Sequence, residues 1–269
     1  MKAYKTNLIL IFLLLGISPW AFSASAEMSS KHLRLVKDLM NNNLAYSQDA
    51  TTTNIIEWEE EIVDSLRQKK DYRNMFLMKQ MAVYAYSLQA KISEALKKAD
   101  AMMDEARLMK YNIGISLSYQ ALGDIYLNAG MRPEAVEEYE KAMKTLQATP
   151  HAEKIQERIF IQLVPTLIKL KRMDEAKAYL EHMSEICESK CLSPFLLYAY
   201  HAYYYLRNND LSKAREYIDE AIKINSRTPS HFYDNILKYM QAEYALETED
   251  YEKAVSYTHL RAHETSAHL

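Results

Sequence analysis

The chain has 269 residues and a formal net charge of -3, with 49% hydrophobic residues, 26% charged residues and 21 Tyr. Only 4 Gly and 6 Pro punctuate it, too few to supply the turns of a sandwich, a barrel or a doubly wound sheet, so an all-α fold is expected. The apolar and aromatic content excludes disorder, and the mildly acidic balance argues against a nucleic-acid-binding body.

At the N-terminus, Lys2 and Lys5 precede an apolar run over 8–17, followed by Pro19 and the small residues Ala24, Ser25 and Ala26. This is the three-part pattern of a secretory signal peptide over 1–26. The run is about half of the roughly 20 apolar residues that a membrane span needs. Cleavage after Ala26 would leave a chain beginning at Glu27, and loss of Lys2 and Lys5 would take the net charge from -3 to -5. No Cys follows the run, so a lipid anchor is not expected. The expected location is beyond the inner membrane, in the periplasm.

Residues 27–70 read as two helices, over 29–46 and 54–68, with Asn41, Asn42 and Asn43 and then Thr51, Thr52 and Thr53 as breakers or caps. They have the place of a degenerate first repeat capping an array. The array itself runs over 71–255. Aligning it on an alanine near the start of every second helix gives Ala95, Ala135, Ala176, Ala214 and Ala254, at intervals of 40, 41, 38 and 40. Each alanine follows a similar turn. The third unit departs from the pattern at Pro165, which lies inside what should be a helix and predicts a kink.

Within the second unit stand Tyr119, Leu122, Gly123, Tyr126, Gly130, Ala135, Tyr139 and Ala142. This series resembles the tetratricopeptide repeat, in which an aromatic, Leu-Gly and Tyr on one helix are followed by a turn and then Ala, an aromatic and Ala on the next. Pro133 falls near the start of the second helix, where a missing N–H costs nothing. The resemblance implies an all-α solenoid of helical hairpins, with Gly123 and Ala135 permitting close approach and the tyrosines filling around them. The family's usual period is 34, so longer helices or loops are expected here.

The resemblance further implies a groove, lined by the first helix of each repeat, that binds extended peptides or partner segments. The family's inward positions fall on Gln80 and Tyr84, then on Gln120, Asp124 and Asn128. Ile161 and Lys169 follow from the third repeat, Tyr203 and Arg207 from the fourth, and Tyr239 and Glu243 from the fifth. Amide, tyrosine and charged groups suit contacts to a peptide backbone and its side chains. Solvent contact or packing on a neighbouring domain is the alternative reading of those positions. A homodimer is a further expectation.

Cys187 and Cys191 enclose three residues, and in an exporting compartment they make a local disulfide at a helix end the favoured reading. Metal binding is not expected there, since His182 is the only histidine close by. His201 lies among Tyr198, Tyr203, Tyr204 and Tyr205 and reads as a packing residue, with no Ser or Cys nucleophile placed beside it. With Gly114, Gly123 and Gly130 the only glycines after the leader, no phosphate-cradling loop can form. No catalytic residue, cofactor or metal is expected in this chain.

The apolar periodicity ends at Ser256, and 256–269 carries His259, His263 and His268. Residues 255–265 resemble a translated sequencing adapter, so a native chain continuing beyond Ala254 is expected. Exported arrays with a period near forty resemble the sensor regions of bacterial histidine kinases and repeat-linked regulators. The larger protein is therefore expected to be a membrane-bound signalling protein, with a free periplasmic scaffold as the alternative.

Overall fold

The computed structural model describes residues 52–190, 194–227 and 231–250. Among them stand ten helices: α1 (Thr52–Gln68), α2 (Tyr72–Leu88), α3 (Ile92–Leu108), α4 (Asn112–Asn128), α5 (Arg132–Leu146), α6 (Glu153–Lys169), α7 (Met173–Lys190), α8 (Pro194–Arg207), α9 (Leu211–Arg227) and α10 (His231–Glu247). The fold is the expected all-α array of helical hairpins. The leader over 1–26, the helix expected over 29–46 and the tail over 256–269 lie outside the described residues.

Two compact units divide between Lys79 and Gln80. In the first, α1 buries Ile55, Ile62, Val63 and Leu66, and the start of α2 buries Met75, Phe76, Leu77 and Met78. In the second, each helix from α4 onward packs on the next, and α4, α6, α8 and α10 also contact one another in series. The first helices of successive hairpins therefore share one layer and the second helices another, each in register with the alanine alignment.

Side-chain burial follows from that layering. α3 buries the single stripe Ala95, Ala99, Met102, Met103 and Ala106, the i, i+4, i+7 pattern of a helix with one wet face. Its neighbour α4, packed on α3, α5 and α6, buries residues on nearly every side, from Ile113 and Gly114 to Asp124 and Ile125. The register alanines Ala95, Ala135, Ala176 and Ala214 are all fully buried, where a larger side chain would force the helices apart.

The long period has a local cause. Helices α1 to α4 each have 17 residues, and three residues close each of the turns between them, so two helices and two turns make a repeat of about forty. Every such turn ends its helix with a residue at positive φ: Lys70, Ala90, Lys110 and Gly130, then Lys171, Asn209 and Glu249. The residue after it donates its backbone N–H five residues back, as Lys91 does to Tyr86 (3.0 Å), Met131 to Tyr126 (2.9 Å) and Asp210 to Tyr205 (3.0 Å). This is the Schellman cap, which satisfies the helix's last carbonyls. Glycine suits that position best, yet Gly130 alone among the seven is glycine.

α6 runs unbroken through Pro165. Pro165 has no N–H for the Ile161 carbonyl, and the Tyr200 hydroxyl of α8 donates to that carbonyl at 3.1 Å. One residue on, Thr166 Oγ1 donates to the Gln162 carbonyl at 2.6 Å. The bond lost within α6 is thus replaced by one to the next hairpin.

Candidate functional site

Close approach between α4 and α5 organises the first half of the site. A Cβ on Gly123 would lie 2.5 Å from Tyr139 Cε1 and 2.6 Å from Cδ1, so the Tyr139 ring occupies the volume that any side chain at 123 would need. The ring is fully buried, and its hydroxyl donates to Asp124 Oδ1 at 2.8 Å. Gln80 Nε2 of α2 donates to Asp124 Oδ2 at 2.5 Å, and Arg158 Nη2 of α6 donates to Gln80 Oε1 at 3.2 Å. Burial pushes the Asp124 carboxyl up to about 6, against the opposing effect of the Tyr139 and Gln80 hydrogen bonds and the Arg158 charge. Burial, reinforced by the Asp124 charge, likewise raises Tyr84 and takes Tyr139 well above the ordinary tyrosine range.

The second half of the site joins α8 to α10. Arg207 pairs with Glu243 through Nη2 and Oε2 and reaches the Tyr239 hydroxyl at 3.4 Å. Its guanidinium lies 5.3 Å from the Tyr203 ring centre, and the Tyr203 and Tyr239 rings are 6.3 Å apart. Burial, and then the Glu243 charge, raise the Tyr239 phenol. Two rings inclined at 57°, with the arginine over the Tyr203 ring, form a preordered aromatic patch.

The two halves account for most of the sequence-predicted positions. Gln80, Gln120, Asp124 and Tyr203 are buried and lie beneath the surface of this face. Tyr84, Ile161 and Glu243 are half-buried, and Asn128, Lys169, Arg207 and Tyr239 are exposed. Asn128 Nδ2 donates to Ser87 Oγ on α2 at 2.7 Å. Arg158 and Tyr139, both in the Asp124 network, were not among the predicted positions. Arg158 stands three residues before Ile161 on the same helix face, a spacing that could have disclosed it.

The surroundings of His201 need a correction. A serine does stand beside it: Ser184 Oγ of α7 is 3.2 Å from His201 Nε2. While Ser184 donates to the Leu180 carbonyl at 2.9 Å, it can only accept from the ring, the arrangement in which Nε2 carries the hydrogen. That polarity is opposite to a serine activated by a histidine base. Burial holds the His201 imidazole below its usual range, opposed by Glu181, and the ring stacks on Tyr217 at 4.6 Å. It is a packing residue. Cys187 lies near the end of α7, and Cys191 is outside the described residues. Among the described residues, no three His, Cys, Asp or Glu side chains converge as a metal site would need.

Two segments, residues 117–145 and 197–228, match the sequence pattern of the tetratricopeptide repeat family. They fall on the hairpins α4–α5 and α8–α9. Those two hairpins carry the tetratricopeptide pattern. Among solved structures, the chain is similar to BtubC (BKLC) of P. vanneervenii, with 15% identity, a TM-score of 0.61, and 81% of this chain and 92% of that one covered. It is also similar to the nearly identical TPR-like repeats of a Podosopora anserina protein assigned as a kinesin light chain. That match has 17% identity and a TM-score of 0.55, and covers 71% of this chain and 94% of the other. These likenesses establish the tetratricopeptide-type fold. No curated protein matches the sequence at a significant level.

Proposed function

We propose that this chain is a protein-interaction module whose tetratricopeptide repeats hold an extended segment of a partner along the first-helix face of α4, α6, α8 and α10. The observation that carries this reading is the patch of Tyr203, Arg207, Tyr239 and Glu243. Four side chains from two repeats are fixed against one another, with Tyr239 left 39% exposed. An aromatic held rigid before binding loses little entropy when a partner covers it, as interface anchors require. Lys169 extends the same face by one repeat.

The test is selection of binders from a random peptide display library against the full chain. Peptides that bind wild type should lose binding to Arg207→Ala and to Tyr239→Ala, and should keep it for Lys97→Glu on the exposed face of α3. Equal loss in all three variants, or none in any, would refute the assignment of the face.

The context we propose is the exported region of a membrane-bound signalling protein, a histidine kinase or a transcription regulator, supported by the leader pattern over 1–26 and the forty-residue period. Among the described residues no helix is long and apolar enough to cross a membrane. N-terminal sequencing of the exported protein should find Glu27 first, and an unprocessed Met1 would remove the compartment from the proposal. A single long read across the codon for Ala254 should find a continuing second helix in place of the tail. The Cys187–Cys191 bridge belongs to the same proposal, and a free thiol titre of two in the exported, unreduced protein would exclude it.

A further inference from the structure

The first-helix face changes character at α6. In the register of the array, the intervals of 41, 38 and 40 carry Gln120 of α4 to Ile161 of α6, Ala199 of α8 and Tyr239 of α10. Toward α2 and α4 the face is built on Gln80, Gln120 and Asp124, with Arg158 reaching across to Gln80. From Ile161 onward it is apolar and aromatic. Ala199 is small and buried, and Ile161, half-buried, packs on the core cluster that contains it. The Tyr200 hydroxyl, which donates to the Ile161 carbonyl at 3.1 Å, ties α8 to α6 at this point. Tyr203 is buried and Tyr239 exposed, with their ring centres 6.3 Å apart.

The charges of this half are closed on themselves. Arg207 pairs with Glu243 on the next first helix, reaches the Tyr239 hydroxyl and lies over the Tyr203 ring. An acidic residue of a partner would compete with Glu243 for the guanidinium, and a basic one would compete with Arg207 for the carboxylate. An uncharged apolar residue disturbs neither. What the patch has left to offer is ring surface, chiefly that of Tyr239.

We propose that this half of the face receives proline residues of an extended partner segment in the polyproline II conformation. This partner chemistry rests on the reading of the first-helix face as the binding surface and deepens it. The face of a phenol ring is negative, which suits the C–H groups that the amide nitrogen of proline polarises. Proline also has no N–H, so covering it with rings strands no donor. The spacing agrees. Polyproline II repeats every three residues, or about 9 Å, and packed neighbouring helices stand about 8–10 Å apart, so every third residue of the segment meets a successive first helix. A segment already fixed in this conformation loses little entropy on a patch that is itself preordered.

The test is an NMR titration of the full chain with two blocked peptides, hexaproline and hexaglutamate, following the Tyr203 and Tyr239 ring signals and the Ile161 methyl signals. Six residues of polyproline II span about 19 Å, enough to reach from α10 to α6. Hexaproline should shift the Tyr239 and Ile161 signals saturably, and those of Tyr203 less, at concentrations where hexaglutamate leaves them in place. Tyr239→Ala should weaken hexaproline roughly tenfold or more. Glu243→Gln uncovers the Arg207 charge and should bring hexaglutamate onto the patch at low salt. Hexaglutamate binding wild type as well as hexaproline does would overturn the proposal, as would hexaproline that moves Tyr239 no more than a Gly-Ser hexapeptide does. Display-selected binders that depend on Tyr239 and Arg207 but show no enrichment in proline would remove the proline and leave the binding face standing. Binders that ignore both residues would remove the face itself. The comparison of the two peptides on wild type needs no variant to fold.

Discussion

Replacing Gly123 by alanine adds one methyl group and should nonetheless be among the most damaging small changes in the protein. On helix propensity alone the change should help by about 1 kcal/mol, because glycine in a helix interior is costly. The new Cβ, however, would sit 2.5 Å, 2.6 Å and 3.0 Å from three atoms of the Tyr139 ring, where about 3.5 Å or more is needed for van der Waals contact. The ring must retreat by about 1 Å within a fully buried site, and overpacking of that kind costs roughly 1–3 kcal/mol. Retreat also pulls the hydroxyl off Asp124, leaving a buried carboxylate short of one donor, a loss of roughly 1–3 kcal/mol more. The net expectation is destabilisation by about 2–4 kcal/mol, or a fall in Tm of very roughly 5–15 °C for a chain of this size. Thermal and urea unfolding followed by circular dichroism at 222 nm would read it. Gly123→Ala in a Tyr139→Leu background should cost much less than in wild type, because the shorter side chain vacates the space. A Gly123→Ala variant as stable as wild type would refute the reasoning, since only the propensity term would then be acting.

Other consequences of the structure can be checked in the same way. Tyr200→Phe should destabilise by about 1 kcal/mol, the worth of a typical net hydrogen bond. In a Pro165→Ala background, where the residue 165 N–H can serve the Ile161 carbonyl, that loss should shrink, and strict additivity in the double-mutant cycle would contradict the replacement of one bond by the other. Ala90→Gly should stabilise by roughly 0.5–1 kcal/mol, because Ala90 sits at φ 58° in a helix cap that glycine adopts without strain. A loss of stability there would count against the cap geometry. Folding raises the Asp124 carboxyl from 3.8 to about 6, so this group favours the folded state fully below pH 4 and loses that contribution as pH rises through 6. The stability difference between wild type and Asp124→Asn should therefore change by roughly 3 kcal/mol between about pH 4 and 8, in the direction of a weaker wild type at high pH. A difference constant across that range would show that Asp124 is not buried as described.

The array was legible in the sequence because close helix packing leaves a mark that one chain can carry. Ala95, Ala135, Ala176 and Ala214 are small and fully buried, and the 40-residue step from Ala95 to Ala135 matches two 17-residue helices with two three-residue turns. Other features left no such mark. The turns use Lys70, Ala90, Lys110, Lys171, Asn209 and Glu249 where glycine would have announced a cap, so their uniform geometry shows only in the backbone. Pro165 reads only as a kink until Tyr200, in the next hairpin, is seen to donate to the carbonyl its missing N–H leaves free. The positions expected to line a groove fall on first helices, yet Gln80, Gln120 and Asp124 are buried. Polar residues on a helix enclosed by three others look, in sequence, the same as polar residues facing water. Arg158 acts on Gln80 from two repeats away, a distance that no local pattern spans.

The reading of the first-helix face as the binding surface is tested most directly by amide hydrogen exchange of the full chain, with and without a peptide taken from the display selection. The account predicts slowed exchange along α4, α6, α8 and α10, strongest around Tyr203–Arg207 and Tyr239–Glu243, with α3, α5, α7 and α9 unchanged. Slowed exchange confined to those second helices would place the partner on the opposite layer and contradict it.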